Sequence, residues 1–249
     1  MGYFRRDIKS WPKKNSSPVT EADFLVDEFL RQTLLAARPQ YGWLSEETTD
    51  DLTRLNRQTI FVVDPIDGTR GFIRGDDGWS ISLAIVKNGM AIAGVIYVPA
   101  RDELYEATKG GGAKLNSIPL QLPCKTRDHM VIAASEAVYK KLKNANLEFE
   151  RAPHMPSLAH RLVQVSTGKI DVAVGRRGAQ DWDIAAAKII LGECGIDLED
   201  ACLGEPVFNR KETRHGALAA MLDNSLRAVV NEALVDVYGC LGNDADKKA

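Results

Sequence analysis

The stretch Phe61-Val62-Val63-Asp64-Pro65-Ile66-Asp67-Gly68-Thr69 determines how the rest of this sequence is interpreted. Ile60 to Val63 is a short apolar run rich in β-branched residues, which is typical of a buried strand. The strand is predicted to end at two aspartates in a turn built on Pro65 and Gly68. Two buried carboxylates this close together would take up protons unless a cation or hydrogen-bond donors neutralise them. A divalent metal is the simplest neutraliser, although aspartates that only cap the turn are an equal alternative from this stretch alone.

The backbone of this turn adds a second prediction. Pro65 fixes its own φ angle, and Gly68 permits an angle that other residues avoid. The turn can therefore point the Ile66 carbonyl and the amides of Gly68 and Thr69 inward.

Composition limits the class of protein. The chain has 249 residues, of which 45% are hydrophobic and 27% charged, so it can bury the core of one large domain or two lobes. The net charge of −2 gives no case for binding a nucleic-acid polymer or a membrane surface. No apolar run approaches the ~18 residues of a membrane span. Met1 to Arg6 lacks the apolar stretch of a secretory signal.

The cysteines and histidines indicate what kind of metal site is possible. No two cysteines form a C-x-x-C pair, which predicts free thiols in a reducing cytosol and a cytoplasmic protein. The four cysteines are Cys124, Cys194, Cys202 and Cys240. The four histidines also lack metal-ligand spacing. A metal site in this chain would therefore be built from oxygen atoms, which favours Mg²⁺, with Mn²⁺ as a substitute.

Two further acidic stretches join the first in a recognisable order. Trp43-Leu44-Ser45-Glu46-Glu47 precedes the aspartate turn, and Gln180-Asp181-Trp182-Asp183-Ile184-Ala185-Ala186-Ala187 follows it. The order S-E-E, D-P-I-D-G-T, W-D-x-A-A resembles the lithium-sensitive inositol monophosphatase superfamily. That superfamily includes 3'(2'),5'-bisphosphate nucleotidases and fructose-1,6-bisphosphatases. The resemblance runs from about Ser17 to about Leu222, and its strength lies in the three motifs occurring together.

The N-terminal segment refines the resemblance. Residues Asn15 to Asp23 are closer to the bisphosphate nucleotidase form of this segment than to the inositol phosphatase form. The family carries a helix before this point. Only about fifteen residues precede it here, and Trp11-Pro12-Lys13-Lys14 cannot be helical throughout, so the first helix is predicted to be shortened or missing.

Local signals predict the elements of the fold. Thr20 with Asp23 three residues later indicates a helix start, and the apolar face continues to about Ala37. Residues 48–58 read as a solvated loop. The first half, 1–122, is predicted to hold four further strands, paired as two hairpins: Ser80 to Val86 with Ala91 to Val98, and Leu104 to Ala107 with Gly112 to Leu115.

The second half, 123–249, alternates between strands and helices. The predicted strands are Val131 to Ala134, Ile170 to Val174 and Ala217 to Met221. The predicted helices are Glu136 to Asn144, Leu158 to Thr167, Asp183 to Cys194 and a last one from Asn224. The pattern is α+β followed by α/β in a single catalytic unit. The resemblance implies the family's layered α-β-α-β-α sandwich, with the site between the two halves.

The resemblance also implies a set of metal ligands. Glu46, Asp64 and the Ile66 carbonyl would hold one metal, and Asp64, Asp67 and Asp183 a second, in a site of two or three Mg²⁺ ions. Two metals about 4 Å apart can activate water, balance phosphoryl charge and assist the departing alkoxide. Asp183 also reads as a plain helix cap, and both roles can hold together.

Catalytic and phosphate-binding roles follow from the same resemblance. Thr69 would bind the attacking water and help to remove its proton, together with Glu46 or Glu47, and Asp67 would take part in catalysis. The amides of Gly68 and Thr69 would bind the phosphate. Asp183 would also contribute to substrate binding, because it brings the positive end of a helix dipole toward an anion.

Substrate choice is predicted from basic residues. Inositol phosphatases place an acid shortly before W-D, whereas here Arg176 and Arg177 occupy that segment, and a cation prefers a second phosphate to a hydroxyl. Arg161 lies near a basic phosphate-binding position of bisphosphate nucleotidases. Each of the three could also be an ordinary surface arginine.

The sequence therefore predicts a Mg²⁺-dependent phosphatase for a small phosphorylated metabolite, with a 3'(2'),5'-bisphosphate nucleotide as the first choice. Inositol-1-phosphate is the second choice and fructose-1,6-bisphosphate the third. A regulatory binding protein with secondary phosphatase activity is the alternative of another class, but all the acids and Thr69 are present, which favours catalysis. A homodimer is left open.

Overall fold

The computed structural model describes residues 1–6, 8–13, 17–123, 129–202 and 204–240. Asn15, Ser16 and Cys124, which entered the predictions above, lie outside these ranges. Two short strands near the start of the chain, β1 (Ser10–Pro12) and β2 (Pro18–Thr20), pair antiparallel as a hairpin. The family's first helix was predicted to be shortened or missing. In the described residues before Thr20, the structure has turns and this hairpin instead of a helix.

The first large sheet has seven strands in sequence order. They are β3 (Gly42–Ser45), β4 (Thr59–Asp67), β5 (Ser80–Lys87), β6 (Met90–Val98), β7 (Glu103–Thr108), β8 (Gly112–Leu115) and β9 (Ile118–Leu120). Strand β3 pairs parallel with β4, and every later pair is antiparallel. Both predicted hairpins are confirmed.

The second sheet has five strands in the order β11-β10-β12-β14-β13. They are β10 (Val131–Ala133), β11 (Glu150–Arg151), β12 (Val172–Gly175), β13 (Leu198–Asp200) and β14 (Leu218–Met221). Strands β10, β11 and β12 pair parallel, whereas β14 runs antiparallel to both of its neighbours. The three strands predicted here are present with ends shifted by one or two residues.

Within the described ranges, six α-helices complete the layers. They are α1 (Glu21–Ala37), α2 (Thr69–Arg74), α3 (Glu136–Asn144), α4 (Leu158–Val163), α5 (Asp181–Glu193) and α6 (Arg227–Tyr238). Helix α1 packs on β4, helices α4 and α5 lie between the two sheets, and α3 and α6 pack together beyond the second sheet. This is the predicted α-β-α-β-α sandwich.

Three predicted element boundaries differ from the structure for local reasons. Strand β4 continues through Pro65 to Asp67, because a register shift between Asp64 and Asp67 absorbs the extra residue. Helix α5 begins at Asp181, since Gln180 is its N-cap. The helix predicted to run to Thr167 tightens into a 3₁₀ turn over Gln164–Thr167 before Gly168, whose φ of 69° ends it.

Close packing of α5 on the first sheet fixes the depth of the helix. A Cβ at Gly94 in β6 would lie 2.5 Å from Ile189 Cγ2 and 2.9 Å from the Ala186 carbonyl oxygen. Only glycine therefore permits this approach. The consequence is that the first turn of α5, which carries Asp183, is brought up to the end of β4.

The segment 48–58 was predicted to be a solvated loop, and that is wrong for its centre. It contains a 3₁₀ helix, Thr53–Asn56, and the Arg54 side chain is buried. Arg54 binds Asp50 with Nε and Nη2, and its Nη1 donates to Asn209 Oδ1 at 2.8 Å. The sequence analysis did not predict the burial of Arg54, because its partner Asn209 is distant in sequence.

The expectation of four free thiols is also wrong. Cys202 and Cys240 form a disulfide; their Cα atoms lie 5.7 Å apart, and the two residues are separated by 38 positions in the sequence. Cys194 is free and buried. Spacing alone could not reveal the bridge, because the fold brings the end of α6 beside the turn after β13. Within the described ranges, no helix has the length and apolar character needed to cross a membrane.

Candidate active site

Three aspartates converge where β4 ends and α5 begins. Asp64, Asp67 and Asp183 each offer a carboxylate oxygen, and these oxygens lie within 4.8 Å of one another. Asp64 is only 1% exposed. Two of the three come from one strand and its irregular end, and the third comes from a residue 116 positions later. The fold has thus brought together the acids of two separate sequence motifs.

Hydrogen bonds hold the first turn of α5 against the sheet. Ser82, which lies opposite Asp64 in the β4–β5 register, donates its hydroxyl to the Trp182 carbonyl at 3.0 Å. The Gln180 backbone N–H donates to Asp183 Oδ2 at 2.7 Å, which closes the N-terminal cap of the helix. Asp183 is therefore both a helix cap and a member of the acidic cluster, the combination that its position in the sequence left open.

The orientation of Asp67 is set by the start of α4. Its Oδ2 accepts hydrogen bonds from the Ser157 hydroxyl at 2.6 Å and from the Ala159 backbone N–H at 2.7 Å. Ser157 is also the N-cap of α4, and it hydrogen-bonds Ser80, the residue opposite Asp67 in β5. These bonds engage one carboxylate oxygen of Asp67. They thereby fix the plane of the carboxylate group and the direction of its other oxygen.

The carboxyl groups of this cluster are hard to ionise together. Burial raises the pKa of Asp64 and of Asp183 well above the usual range, and repulsion from neighbouring acids, including Glu46, adds to it. Burial also raises the pKa of Asp67, against its bonds from α4. Clustered carboxylates and a backbone carbonyl are the oxygen ligands that hard divalent cations take. Asp64, Asp67 and Asp183 are therefore suited to hold a divalent cation.

Thr69 has a partner that the sequence did not predict. Its hydroxyl lies 3.2 Å from Asp23 Oδ1 and 3.1 Å from the Ile66 carbonyl oxygen. Asp23 Oδ2 in turn accepts from the N–H and the hydroxyl of Thr20, the N-cap of α1. The Thr20–Asp23 pattern predicted only a helix cap. Asp23 forms part of that cap and also contacts Thr69 in the candidate site.

Gly68 connects β4 to α2 through a conformation that other residues resist. Its φ is 92°, and a Cβ there would lie 2.9 Å from the Ser157 backbone nitrogen. The Gly68 carbonyl accepts from the Gly71 and Phe72 N–H groups and so starts the hydrogen bonding of α2.

Glu46 and Glu47 continue β3 beyond its last residue, and the Glu46 N–H donates to the Val63 carbonyl at 3.2 Å. Both side chains point to one cation: Lys13 Nζ lies 2.8 Å from Glu46 Oε1 and 2.6 Å from Glu47 Oε1. Burial raises the pKa of Glu47 to about 7, against the lowering effect of Lys13. Glu46 acts electrostatically on the aspartates but is not a member of the three-carboxylate cluster.

The three predicted arginines point to different places. Arg161 donates from Nη2 to the Val174 carbonyl at 3.1 Å, and its buried Nε has no hydrogen-bond partner in the described part of the chain. Burial lowers the pKa of Arg161, Asp67 opposes this, and Arg176 reinforces it. Arg176 is exposed. Arg177 donates to the Tyr238 carbonyl at 3.2 Å and so contacts the end of α6.

A buried pair behind the cluster was missed by sequence reasoning. His215 Nε2 lies 2.7 Å from Asp181 Oδ1, and the Asn209 N–H donates to Asp181 Oδ2 at 2.8 Å. Arg54 also binds Asn209. The Asp181–His215 pair and the 3₁₀ helix Thr53–Asn56 therefore both contact the loop that carries Asn209. No local motif signals this contact, since its three segments are far apart in sequence.

Comparison with known proteins decides the family. The sequence profile described as the inositol monophosphatase family matches residues 2–234. The chain belongs to this family. An inositol-1-monophosphatase from Mesorhizobium japonicum is 30% identical over 201 residues, which cover 77% of this chain and 75% of the relative. The 3'(2'),5'-bisphosphate nucleotidase CysQ of Aggregatibacter actinomycetemcomitans is 30% identical over 224 residues, 85% of this chain and 82% of the relative.

A solved structure gives the same assignment. The extragenic suppressor protein SuhB from Bartonella henselae superposes with a TM-score of 0.76 at 28% identity, over 92% of this chain and 88% of that one. This protein is thus a phosphatase. Its family is metal-dependent and acts on small phosphorylated compounds. Its relatives at equal identity differ in the substrates that their names give.

The raised pKa values predict how metal-free protein responds to pH. In the unfolded chain Glu47 titrates near 4.5, and in the folded protein near 7, so the folded state binds more protons between these values. Stability conferred by this group is present below pH 4.5 and is lost as the pH rises through 7. The aspartate cluster acts in the same direction. We expect the melting temperature in EDTA to fall by roughly 5 °C between pH 5.5 and pH 8.

The control for this prediction is the same pair of measurements in excess Mg²⁺, where the fall should be much smaller because bound cations favour the ionised carboxylates. Glu103 does not interfere, since a hydrogen bond from His160 lowers its pKa to about 2, below the window. A melting temperature in EDTA that rises with pH would contradict the electrostatic account of the site.

Proposed function

We propose that this phosphatase hydrolyses a 3'(2'),5'-bisphosphate nucleotide in a Mg²⁺-dependent reaction. The observation that carries the proposal is the Arg161 guanidinium, which is near enough to Asp67 and Arg176 for their charges to affect it and whose buried Nε has no partner among the residues that the structure describes. A buried, incompletely paired guanidinium favours an anionic partner. A substrate with a second phosphate supplies that anion, whereas inositol-1-phosphate does not.

In this proposal the acidic residues hold the metal ions. Asp64, Asp67 and Asp183 would share them, and Glu46 with the Ile66 carbonyl would complete one site. Bound Mg²⁺ supplies positive charge that makes water a better nucleophile and balances charge on the phosphoryl and leaving oxygens. Ser157 and the N-terminus of α4 keep Asp67 in the required orientation.

Thr69 would position the attacking water and receive its proton. Its hydroxyl already contacts Asp23, whose pKa is raised by burial. A carboxylate with a raised pKa is a better proton acceptor than an ordinary aspartate. We place Asp23 beside Thr69 in this route, ahead of the predicted Glu46 or Glu47, because Thr69 contacts Asp23 directly.

The opposite end of the reaction needs a bound phosphate and a held leaving group. The amides of Gly68 and Thr69 would bind the phosphoryl oxygens, and the first turn of α5 would place its partial positive charge near them. Arg161 and Arg176 would bind the second phosphate of the substrate. Arg177 was predicted for this role too, and its contact with the end of α6 gives it less weight.

Inositol-1-phosphate is the second candidate substrate, because a relative of that name matches the chain at the same identity as the nucleotidase does. The alternative of a regulatory protein with little activity has less support. The carboxylates of Asp64, Asp67 and Asp183 lie together, and Thr69 contacts Asp23.

A phosphate-release panel tests the proposal. The purified protein is assayed with Mg²⁺ on adenosine 3',5'-bisphosphate, inositol-1-phosphate and fructose-1,6-bisphosphate. We expect the highest kcat/KM on the adenosine bisphosphate, no release in EDTA and inhibition by Li⁺ at limiting Mg²⁺. A preference for inositol-1-phosphate would replace the substrate assignment with the second candidate, and equal release in EDTA would overturn the metal role.

A further inference from the structure

The N-terminal hairpin carries a lysine into the acidic site. The antiparallel pairing of β1 and β2 ends at Pro12, and the Lys13 N–H donates to the Ser17 carbonyl at 2.8 Å. The Lys13 side chain is 18% exposed, and its ammonium contacts Glu46 and Glu47 at salt-bridge distance. A lysine at a hairpin end would ordinarily extend into water. Here it lies against two glutamates.

The Lys13 contact involves a carboxylate outside the three-aspartate cluster. The family resemblance assigns Glu46 to a metal together with Asp64, yet the cluster found among the described residues consists of Asp64, Asp67 and Asp183. The Glu46 Oε1 faces the Lys13 ammonium at 2.8 Å. A carboxylate oxygen with an ammonium at that distance cannot bind a divalent ion at the same place.

Lys13 is also the main counter-charge of this region. Among the described residues it is the one basic side chain that an ion pair joins to the acids of the site. Burial alone lowers the pKa of Lys13, but the charges and hydrogen bonds of Glu46 and Glu47 outweigh it and raise the pKa. The ammonium stabilises the two carboxylates through these short contacts.

We infer that Lys13 is an internal counter-cation that competes with the divalent metal for Glu46 and leaves Glu46 when the metal binds. The inference rests on the proposed metal role of Glu46. It adds a determinant of metal affinity to the site, and it couples metal binding to the position of the β1–β2 hairpin.

The direct test follows Lys13 itself in the wild-type protein. Lysine acetylation by a small reagent is mapped by mass spectrometry with and without Mg²⁺. Lys13 should react slowly in EDTA and several-fold faster in Mg²⁺. Lys9 is the internal reference, because it lies on the same segment and is 86% exposed, and its rate should not change. An unchanged or slower rate at Lys13 in Mg²⁺ would overturn the inference.

A second test measures metal affinity without an activity assay. Free Mn²⁺ is titrated by electron paramagnetic resonance in wild type, Lys13→Met, Lys13→Arg and the control Lys9→Met. Removing the competing charge should tighten one Mn²⁺ site about tenfold, the effect of one charge-assisted hydrogen bond. Lys13→Arg keeps the charge and should remain within about threefold of wild type. Equal or weaker Mn²⁺ binding in Lys13→Met would show that Lys13 does not compete.

These outcomes are separate from those of the proposed function. If the wild type releases no phosphate from any substrate, the proposed function fails whatever the Mn²⁺ affinities are. If Lys13→Met binds Mn²⁺ no more tightly while the wild type is active, the competition alone is wrong.

Discussion

Replacing Asp64 by asparagine is expected to abolish phosphate release while the protein remains folded. Asp64 belongs to the acidic cluster, and in the proposed mechanism it serves both metal ions. The amide has nearly the same shape but carries no charge, so kcat should fall on the order of a thousandfold or more, as for other groups that stabilise charge in a transition state. Steady-state kinetics on the preferred substrate in saturating Mg²⁺ measure the loss.

The fold should survive because asparagine retains an acceptor for the Ile66 N–H, which now donates to Asp64 Oδ1 at 3.1 Å. Removing one of several repelling buried acids should also raise the melting temperature of the metal-free protein. The control is Asp197→Asn, an exposed aspartate that pairs with Arg227 in the outer layer. Activity in Asp64→Asn close to that of this control would eliminate the two-metal proposal.

The second large effect concerns substrate selectivity. If Arg161 or Arg176 binds a second phosphate, replacing either by methionine should weaken turnover of the bisphosphate far more than that of the monophosphate. One charge-assisted hydrogen bond is worth ~1.5–3 kcal/mol, so kcat/KM for adenosine 3',5'-bisphosphate should fall roughly ten- to a hundredfold. The value for inositol-1-phosphate should change by less than about threefold. The ratio of the two kcat/KM values is the measurement.

Taking a ratio protects this test against loss of folded protein, which lowers both rates together. Arg227→Met, in α6 on the far side of the second sheet, is the matched control and should leave the ratio unchanged. Arg177→Met tests the third predicted arginine, and its contact with Tyr238 favours equal effects on both substrates. If no arginine variant changes the ratio, the second-phosphate assignment is wrong and inositol-1-phosphate takes its place.

Much of the fold could be predicted because its signals are local. Thr20 and Asp23 mark the start of α1 within four residues, and Lys87-Asn88-Gly89 marks the turn between β5 and β6. The acids of the site were found in the same way, since each lies in a short motif at the end of an element. The resemblance of those motifs to one family then supplied the layer order that local signals do not contain.

The remaining features depend on contacts between distant segments. Lys13 meets Glu46 across 33 residues, Arg54 meets Asn209 across 155, and Cys202 meets Cys240 across 38. Nothing in the immediate neighbourhood of these residues indicates a partner, so Arg54 was placed in a solvated loop, the cysteines were predicted to be free thiols, and no contact was predicted for Lys13. Predicting them requires knowing which surfaces the folded layers bring together.

The Asp23 carboxylate both caps α1 and contacts Thr69. The order of the first turn of α1 therefore affects the proposed proton transfer. First turns of helices usually fray, opening and closing at little free-energy cost. Opening the first turn of α1 would release both oxygens of Asp23, from Thr20 on one side and from Thr69 on the other. The proposed proton acceptor is therefore present only in molecules whose α1 is closed at its start. Amide hydrogen exchange in the first turn of α1 would thus report directly on the fraction of protein that is competent for turnover.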